Sequence, residues 1–192
     1  MNPTKIQTSR FGDIDVGPEH FIAFRDGMIG FPHLKQYVLV ESSSMPVLLW
    51  LQSTENPAVA FPVIEPWFFK KDYKPAAGEA ERVCIQLEPG DKTKMFVVIT
   101  IPPDMSRMTV NMKAPILINL DKGTAVQLVL ADKNYEVRVP AYEAFSQAIS
   151  TFSLVQSVDA MNPSAAQQLE TEAWNPVNVK GASSERLNSI SL

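Results

Sequence analysis

The sequence predicts an all-β body of short antiparallel strands, a sandwich or a barrel, over residues 1–140, with a helical extension over residues 141–192. Three observations carry that reading. Short apolar runs rich in Val, Ile, Phe and Tyr alternate with turn residues throughout the first part of the chain. The 15 prolines outnumber the 8 glycines, which suits punctuated extended segments and argues against a helical bundle. At Pro140 the apolar spacing changes from strand-like to helix-like.

The strand candidates follow in order. Phe21–Phe24 stops at Asp26-Gly27, and Tyr37–Val40 stops at Ser42-Ser43-Ser44. Val47–Leu51 is apolar throughout, as a strand covered on both faces would be, and ends before Gln52–Pro57. In Ala58–Ile64, Pro62 marks an edge position or a bulge. Val83–Leu87 ends at the turn signal Glu88-Pro89-Gly90-Asp91, and Met95–Ile101 at Pro102-Pro103. Pro115–Leu120, Val126–Leu130 and Tyr135–Val139 complete the set. In the last of these, apolar and charged residues alternate as in a half-buried strand. No repeat of fixed period points to a propeller or solenoid.

Beyond Pro140, Tyr142, Phe145, Ile149, Phe152 and Val155 recur at three and four residues and form one stripe of an amphipathic helix. Asn162-Pro163 is a cap and first-turn signal for a second helix reaching Glu172. The sequence past Trp174 is expected to fray, leaving a partly disordered tail. Five acidic residues (Glu143, Asp159, Glu170, Glu172, Glu185) against Lys180 and Arg186 put −3 of the net −4 in this extension.

These charges leave the β body nearly neutral, without the basic face of a direct nucleic-acid binder. The single Cys84 excludes an internal disulfide and fits a reducing compartment. It sits among apolar residues and is expected to be buried and inert. The N-terminal residues lack the apolar core of a signal peptide, and no stretch approaches the ~20 residues that span a bilayer. A cytoplasmic protein with no membrane partner is expected. His20 and His33 stand in no nucleophile or metal spacing, and both are expected to be exposed or capping. Gly27-Met28-Ile29-Gly30 matches the GxxG clamp of RNA-binding KH modules in form, but its setting favours a turn needing positive φ. Asp13 and Asp15 share a strand face as an ordinary solvated pair. No catalytic residue, metal or cofactor is expected.

Four segments exceed what a plain β domain needs. They are Phe24-x-x-Gly27-x-x-Gly30-Phe31; Leu51-Gln52-Ser53 with Pro57 and Phe61; Glu65–Tyr73; and Thr109–Asn119, followed by Gln127–Leu130 and Tyr135. In this order and spacing, from about Ile6 to Val139, the chain resembles the FliW family of flagellar assembly factors. The resemblance implies a small barrel-like β protein without catalytic activity, monomeric when free. It implies two partners bound one at a time: cytoplasmic flagellin, and CsrA, the small dimeric RNA-binding repressor of flagellin translation. When flagellin is exported, the freed protein would capture CsrA away from its RNA-binding surface, and flagellin synthesis would resume. Family members end soon after the segment matching Tyr135–Val139, so the extension is a departure. Its expected role is to cap an open strand edge.

Partner exchange calls for exposed aromatic anchors with a polar rim. Glu65–Tyr73 supplies that mixture. Phe68 and Tyr73 are assigned to the surface, Trp67 and Phe69 to the core, and Glu65 and Asp72 to charge contacts with a basic partner. Gln52 and Asn111 complete the candidate contact set, with bonds to neighbouring backbone as their competing role; for Asn119 a turn or strand-end role is expected. A competing class is an OB-like barrel binding an oligonucleotide or small ligand, for which Lys70 and Lys71 beside the aromatics are the local support.

Overall fold

The structure is a computed structural model, and it describes residues 2–42, 47–161 and 176–179, with the backbone alone at 42, 152–161 and 179. The predicted second helix and the acidic tail after it lie outside the described residues, apart from 176–179.

Strands β1 (Thr4–Thr8) and β2 (Gly12–Val16) form an antiparallel hairpin with Thr4 opposite Val16. Then come β3 (Phe21–Phe24), β4 (Gln36–Ser42), β5 (Leu49–Ser53) and β6 (Ala60–Ile64), with antiparallel pairing of β3 to β4, β4 to β5 and β5 to β6. Helix α1 (Glu79–Cys84) precedes β7 (Thr93–Thr100), which pairs with β6. The short β8 (Thr109–Val110) is followed by β9 (Ile116–Asn119) and β10 (Thr124–Gln127). After β11 (Val139–Pro140) come helix α2 (Tyr142–Met161) and β12 (Val177–Val179).

Strand β9 pairs with both β7 and β10, and β10 pairs with β3, so seven strands close into a barrel. Every pairing around the ring is antiparallel except the β3–β10 closure, which is parallel. Leu128 N and Leu130 N extend the β10 side by donating to Pro115 O and Lys113 O. Pro62 is paired with β5 in a stretch that β7 has not yet joined, since the β6–β7 ladder begins at Val63. This is locally an edge, where a missing N–H is tolerated.

Strand alternation sorts the apolar residues into two cores. Ile22, Phe24, Tyr37, Leu39, Leu51, Val63, Phe96, Ile116, Ile118 and Ala125, drawn from all seven strands, fill the barrel. Val38, Val40, Trp50, Ile64, Val97 and Ile99 point the other way into a second cluster, joined by Ile6, Phe11, Ile14 and Val16 of the hairpin and by Phe145 of α2. A third, small cluster of Ile85, Leu117 and Leu128 lies by α1.

Two strand expectations fail. Val83 and Cys84 end helix α1 instead of starting a strand. Gly78 provides its N-cap, Glu79 and Glu81 its acidic first turn and Arg82 its basic last turn. The chain then turns at Gln86, whose φ is 52°. Of Tyr135–Val139 only Val139 pairs, opposite Val110; Val137 is 58% exposed, because no strand lies beside residues 135–138 to bury one face. Ala141, just before α2, and Phe145 and Ala148 within it form the buried stripe, with Ile149 packed against the outer core, whereas Tyr142 is exposed. The tail does not simply fray after Trp174, since Val177–Val179 forms β12 on β4. His33 is exposed, and His20 is partly buried with Nδ1 3.1 Å from Glu19 Oε1.

Gly27 and Gly30 both have positive φ, 74° and 86°, which bears out the turn reading of the GxxG segment. They differ in surroundings. A Cβ on Gly27 would lie 2.6 Å from Phe31 O and 2.8 Å from Pro32 Cα, while one on Gly30 would meet nothing within 4 Å. Gly30→Ala should therefore cost only the left-handed backbone penalty, about 1–2 kcal/mol. Gly27→Ala should cost about 1–3 kcal/mol more from the overlap, as read from urea unfolding midpoints of the two variants.

Tyr37, fully buried in the barrel, has its hydroxyl pushed up to about 12 by burial and by the nearby Glu55 carboxylate. An unfolded tyrosine ionises near 10. Between those values the folded state retains a proton that the unfolded state has released, so stability falls as pH rises from about 10 to 12. Tyr37→Phe should flatten that fall in denaturation curves taken across the same range.

Candidate functional site

The segment after β6 turns because of its prolines and short local bonds. Pro66 opens a single 3-10 turn, Pro66–Phe68, and Phe69 N and Lys70 N donate to Pro66 O at 3.0 and 3.1 Å. The turn presents Trp67 and Phe68 outward, each 40% exposed, while Phe69 packs against the outer core. Trp67 thus lies outside the core to which the sequence assigned it. The indole Nε1 donates to Glu65 Oε2, and Lys94 Nζ stands 3.0 Å from Glu65 Oε1. Glu65 is committed to these two neighbours. Asp72 is exposed with Lys71 beside it.

Tyr73 is not a surface anchor. Only 4% exposed, it donates its hydroxyl to Met112 O at 2.7 Å and meets Tyr135 edge-on at 5.0 Å, with Lys70 Nζ 5.0 Å from the Tyr135 ring centre. Burial, and then Tyr135, push the Tyr73 hydroxyl well above the ordinary tyrosine value. The ring locks the Glu65–Tyr73 segment to the chain beyond β8.

Gln52 is likewise removed from surface contact. It is fully buried, and its Nε2 donates to Ser53 O and Val59 O at 2.9 and 3.0 Å, shaping the turn between β5 and β6. Asn111 Oδ1 accepts from Lys113 N and Ala114 N, both at 3.1 Å, in a local turn. Asn119 is fully buried; its Nδ2 donates to Ile85 O and Asp91 Oδ2, tying α1 and the Glu88–Asp91 turn to the barrel. Of the candidate contact set, Phe68 and Asp72 are the exposed members of the 65–73 segment. Tyr73 and Asn111 belong to the framework beside that segment, whereas Gln52 shapes the turn at the far end of β6.

Sequence reasoning missed two neighbours. Helix α2 packs against the Trp67–Phe68 turn and against the Met105–Arg107 turn, and Met105 and Tyr142 on these elements are 38% and 43% exposed. The spacing places Tyr142 on the Phe145 stripe, so nothing in the sequence marked it as exposed; only its position in the first turn of α2 leaves it uncovered. A pocket of about 260 Å³ lies elsewhere, lined by Met28, Ile29, Cys84, Val126 and Gln127 among others. Cys84 borders it and is only partly buried, contrary to expectation; burial, and then Asp26, push its thiol up. Among the described residues no group of His, Cys, Asp or Glu is placed to hold a metal ion. No helix among them is long and apolar enough to cross a membrane.

The family model described as FliW protein matches residues 5–141, a span that contains the whole barrel and the exposed turn. The chain belongs to the FliW family. It is 38% identical over 144 residues to a flagellar assembly factor FliW of Bdellovibrio bacteriovorus, covering 75% of this chain and 82% of that one. It is 35% identical over 148 residues to one from Caldanaerobacter subterraneus, covering 76% and 98%. A crystal structure of the flagellar assembly factor FliW superposes with a TM-score of 0.67 at 28% identity, over 72% of this chain and 97% of that one. Within the FliW span, the four segments singled out by sequence form the Gly27–Gly30 turn, the β5–β6 turn, the exposed aromatic turn and its β8–β9 support.

The Tyr73 hydroxyl ties that aromatic segment to the β8–β9 connection. Tyr73→Phe should lower stability by about 1 kcal/mol, with the Met112 carbonyl left to find another donor. Thermal unfolding of the full chain measures it.

Proposed function

We propose that this protein is a flagellar assembly factor that acts without catalysis in the cytoplasm. In this reading it binds flagellin and, once flagellin is exported, sequesters CsrA so that flagellin translation resumes. The support is its FliW membership across the whole barrel, combined with an exposed apolar turn of the kind that partner exchange needs. Trp67 and Phe68 supply the centre, Lys71 and Asp72 the rim, and Met105 and Tyr142 extend the apolar area. One patch used by two partners makes their binding mutually exclusive. The oligonucleotide alternative is weakened because Lys70 lies over Tyr135 and Lys94 pairs with Glu65, which withdraws two cations from a nucleic-acid face.

Glu65 is a poor probe, because replacing it would also release Trp67 and Lys94. Phe68→Ala combined with Asp72→Lys changes exposed side chains alone. The double variant should bind purified CsrA at least about tenfold more weakly by titration calorimetry, a loss of about 1.4 kcal/mol. Its circular dichroism and thermal midpoint should stay close to those of the parent, as for most surface substitutions. Undiminished CsrA affinity would remove this turn from the interface.

A further inference from the structure

Strand β4 is longer than the neighbour that flanks it on one side. β3 accompanies it from Gln36 to Val38, with Phe21 opposite Val38 as the last pair. β5 occupies the other side, with Trp50 opposite Val40 and Leu49 opposite Glu41. On the side that β3 leaves, the backbone of Val40, Glu41 and Ser42 is met by β12, which runs parallel to β4 with Val177 opposite Val40 and Val179 opposite Ser42. Pro176 precedes this strand, a position where its missing N–H takes no bond from a ladder.

The side chains fit the same seat. Val177 is 8% exposed and joins the outer core beside Val38, Val40 and Phe145, while Asn178 faces outward. The seat belongs to the family span, which runs from residue 5 to residue 141; the strand that fills it lies beyond that span. The seat is therefore part of the shared barrel and its occupant is an addition. That occupant is only three residues long and makes a parallel ladder, the slightly weaker kind per residue. Its hold rests on being tethered. Covalent attachment presents a strand to its site at an effective concentration on the order of mM, against which a free competitor must work.

We propose that the β4 edge at Val40–Ser42 is a strand-acceptor site, filled in cis by Val177–Val179. Its partner in trans is an extended peptide with aliphatic residues at alternate positions, which adds to β4 once β12 leaves. Backbone bonds to the edge supply affinity and the Val177 position supplies selectivity, as in other strand-addition sites. The extension thereby covers an edge that would otherwise pair with another chain. The cover is a strand; the helix predicted for that task docks against the outer core nearby.

The test uses the full chain and a fluorescent synthetic peptide of residues 175–181, Asn-Pro-Val-Asn-Val-Lys-Gly. Val177→Asp should release β12 and bind the peptide at least tenfold more tightly than the parent by fluorescence anisotropy. A peptide with Asp at the position of Val177 should not bind. Val177→Ala, a milder change for use if the Asp variant unfolds, should show an intermediate gain. Hydrogen exchange at residues 40–42 should quicken in the variants and slow again with peptide. Equal uptake by parent and variants would overturn the proposal, as would no uptake by a variant whose circular dichroism remains that of the folded barrel. A variant that instead dimerises without taking up peptide would assign the edge to a second copy of the chain, and this too would overturn it.

Discussion

The structure depends on strands β4 to β7 being buried on both faces. One set of side chains fills the barrel, and the other set builds an outer core that the β1–β2 hairpin, the 66–73 turn and α2 cover. A single-sided barrel could leave its outer face polar; this one cannot, because Val38, Val40, Trp50, Ile64, Val97 and Ile99 all require cover. Each covering element is held in place by the same apolar surface. The exposed aromatic turn is one of them, so its position relative to the barrel follows from packing beneath it: Phe69 and Tyr73 go inward, and Trp67 and Phe68 remain outside.

That constraint also decides what was legible in the sequence. Runs apolar throughout, such as Val47–Leu51, read correctly as strands covered on both sides, and the Pro and Gly breaks between runs fell at real turns. Short apolar runs do not distinguish a strand from the end of a helix. Val83–Leu87 was misread for that reason, although Glu79-Ala80-Glu81-Arg82 before it held the helical signal. Tyr135–Val139 had the right alternation but too little neighbouring strand, a condition that no local pattern encodes.

The candidate site was half legible. Its segment was identifiable because aromatic and charged residues are interleaved there, but which aromatic faces water depends on one 3-10 turn and on Tyr135, which meets Tyr73 from far along the chain. Gln52 and Asn111 are polar residues beside apolar runs, the same signature for a surface contact as for a side chain that satisfies turn backbone. Only the fold separates the two. Asn119 shows the same ambiguity resolved as expected, toward a structural bond network.

The parallel β3–β10 closure has a consequence for how the chain is made. It joins Ala23 and Phe24 to Thr124 and Ala125, so the ring stays open until most of the barrel sequence has left the ribosome. Up to that moment β3 and β9 each present an unpaired border, and local contacts alone cannot seal it. A nascent polypeptide interrupted before Thr124 would be left with both borders bare, so the ring can close only once translation has passed residue 127.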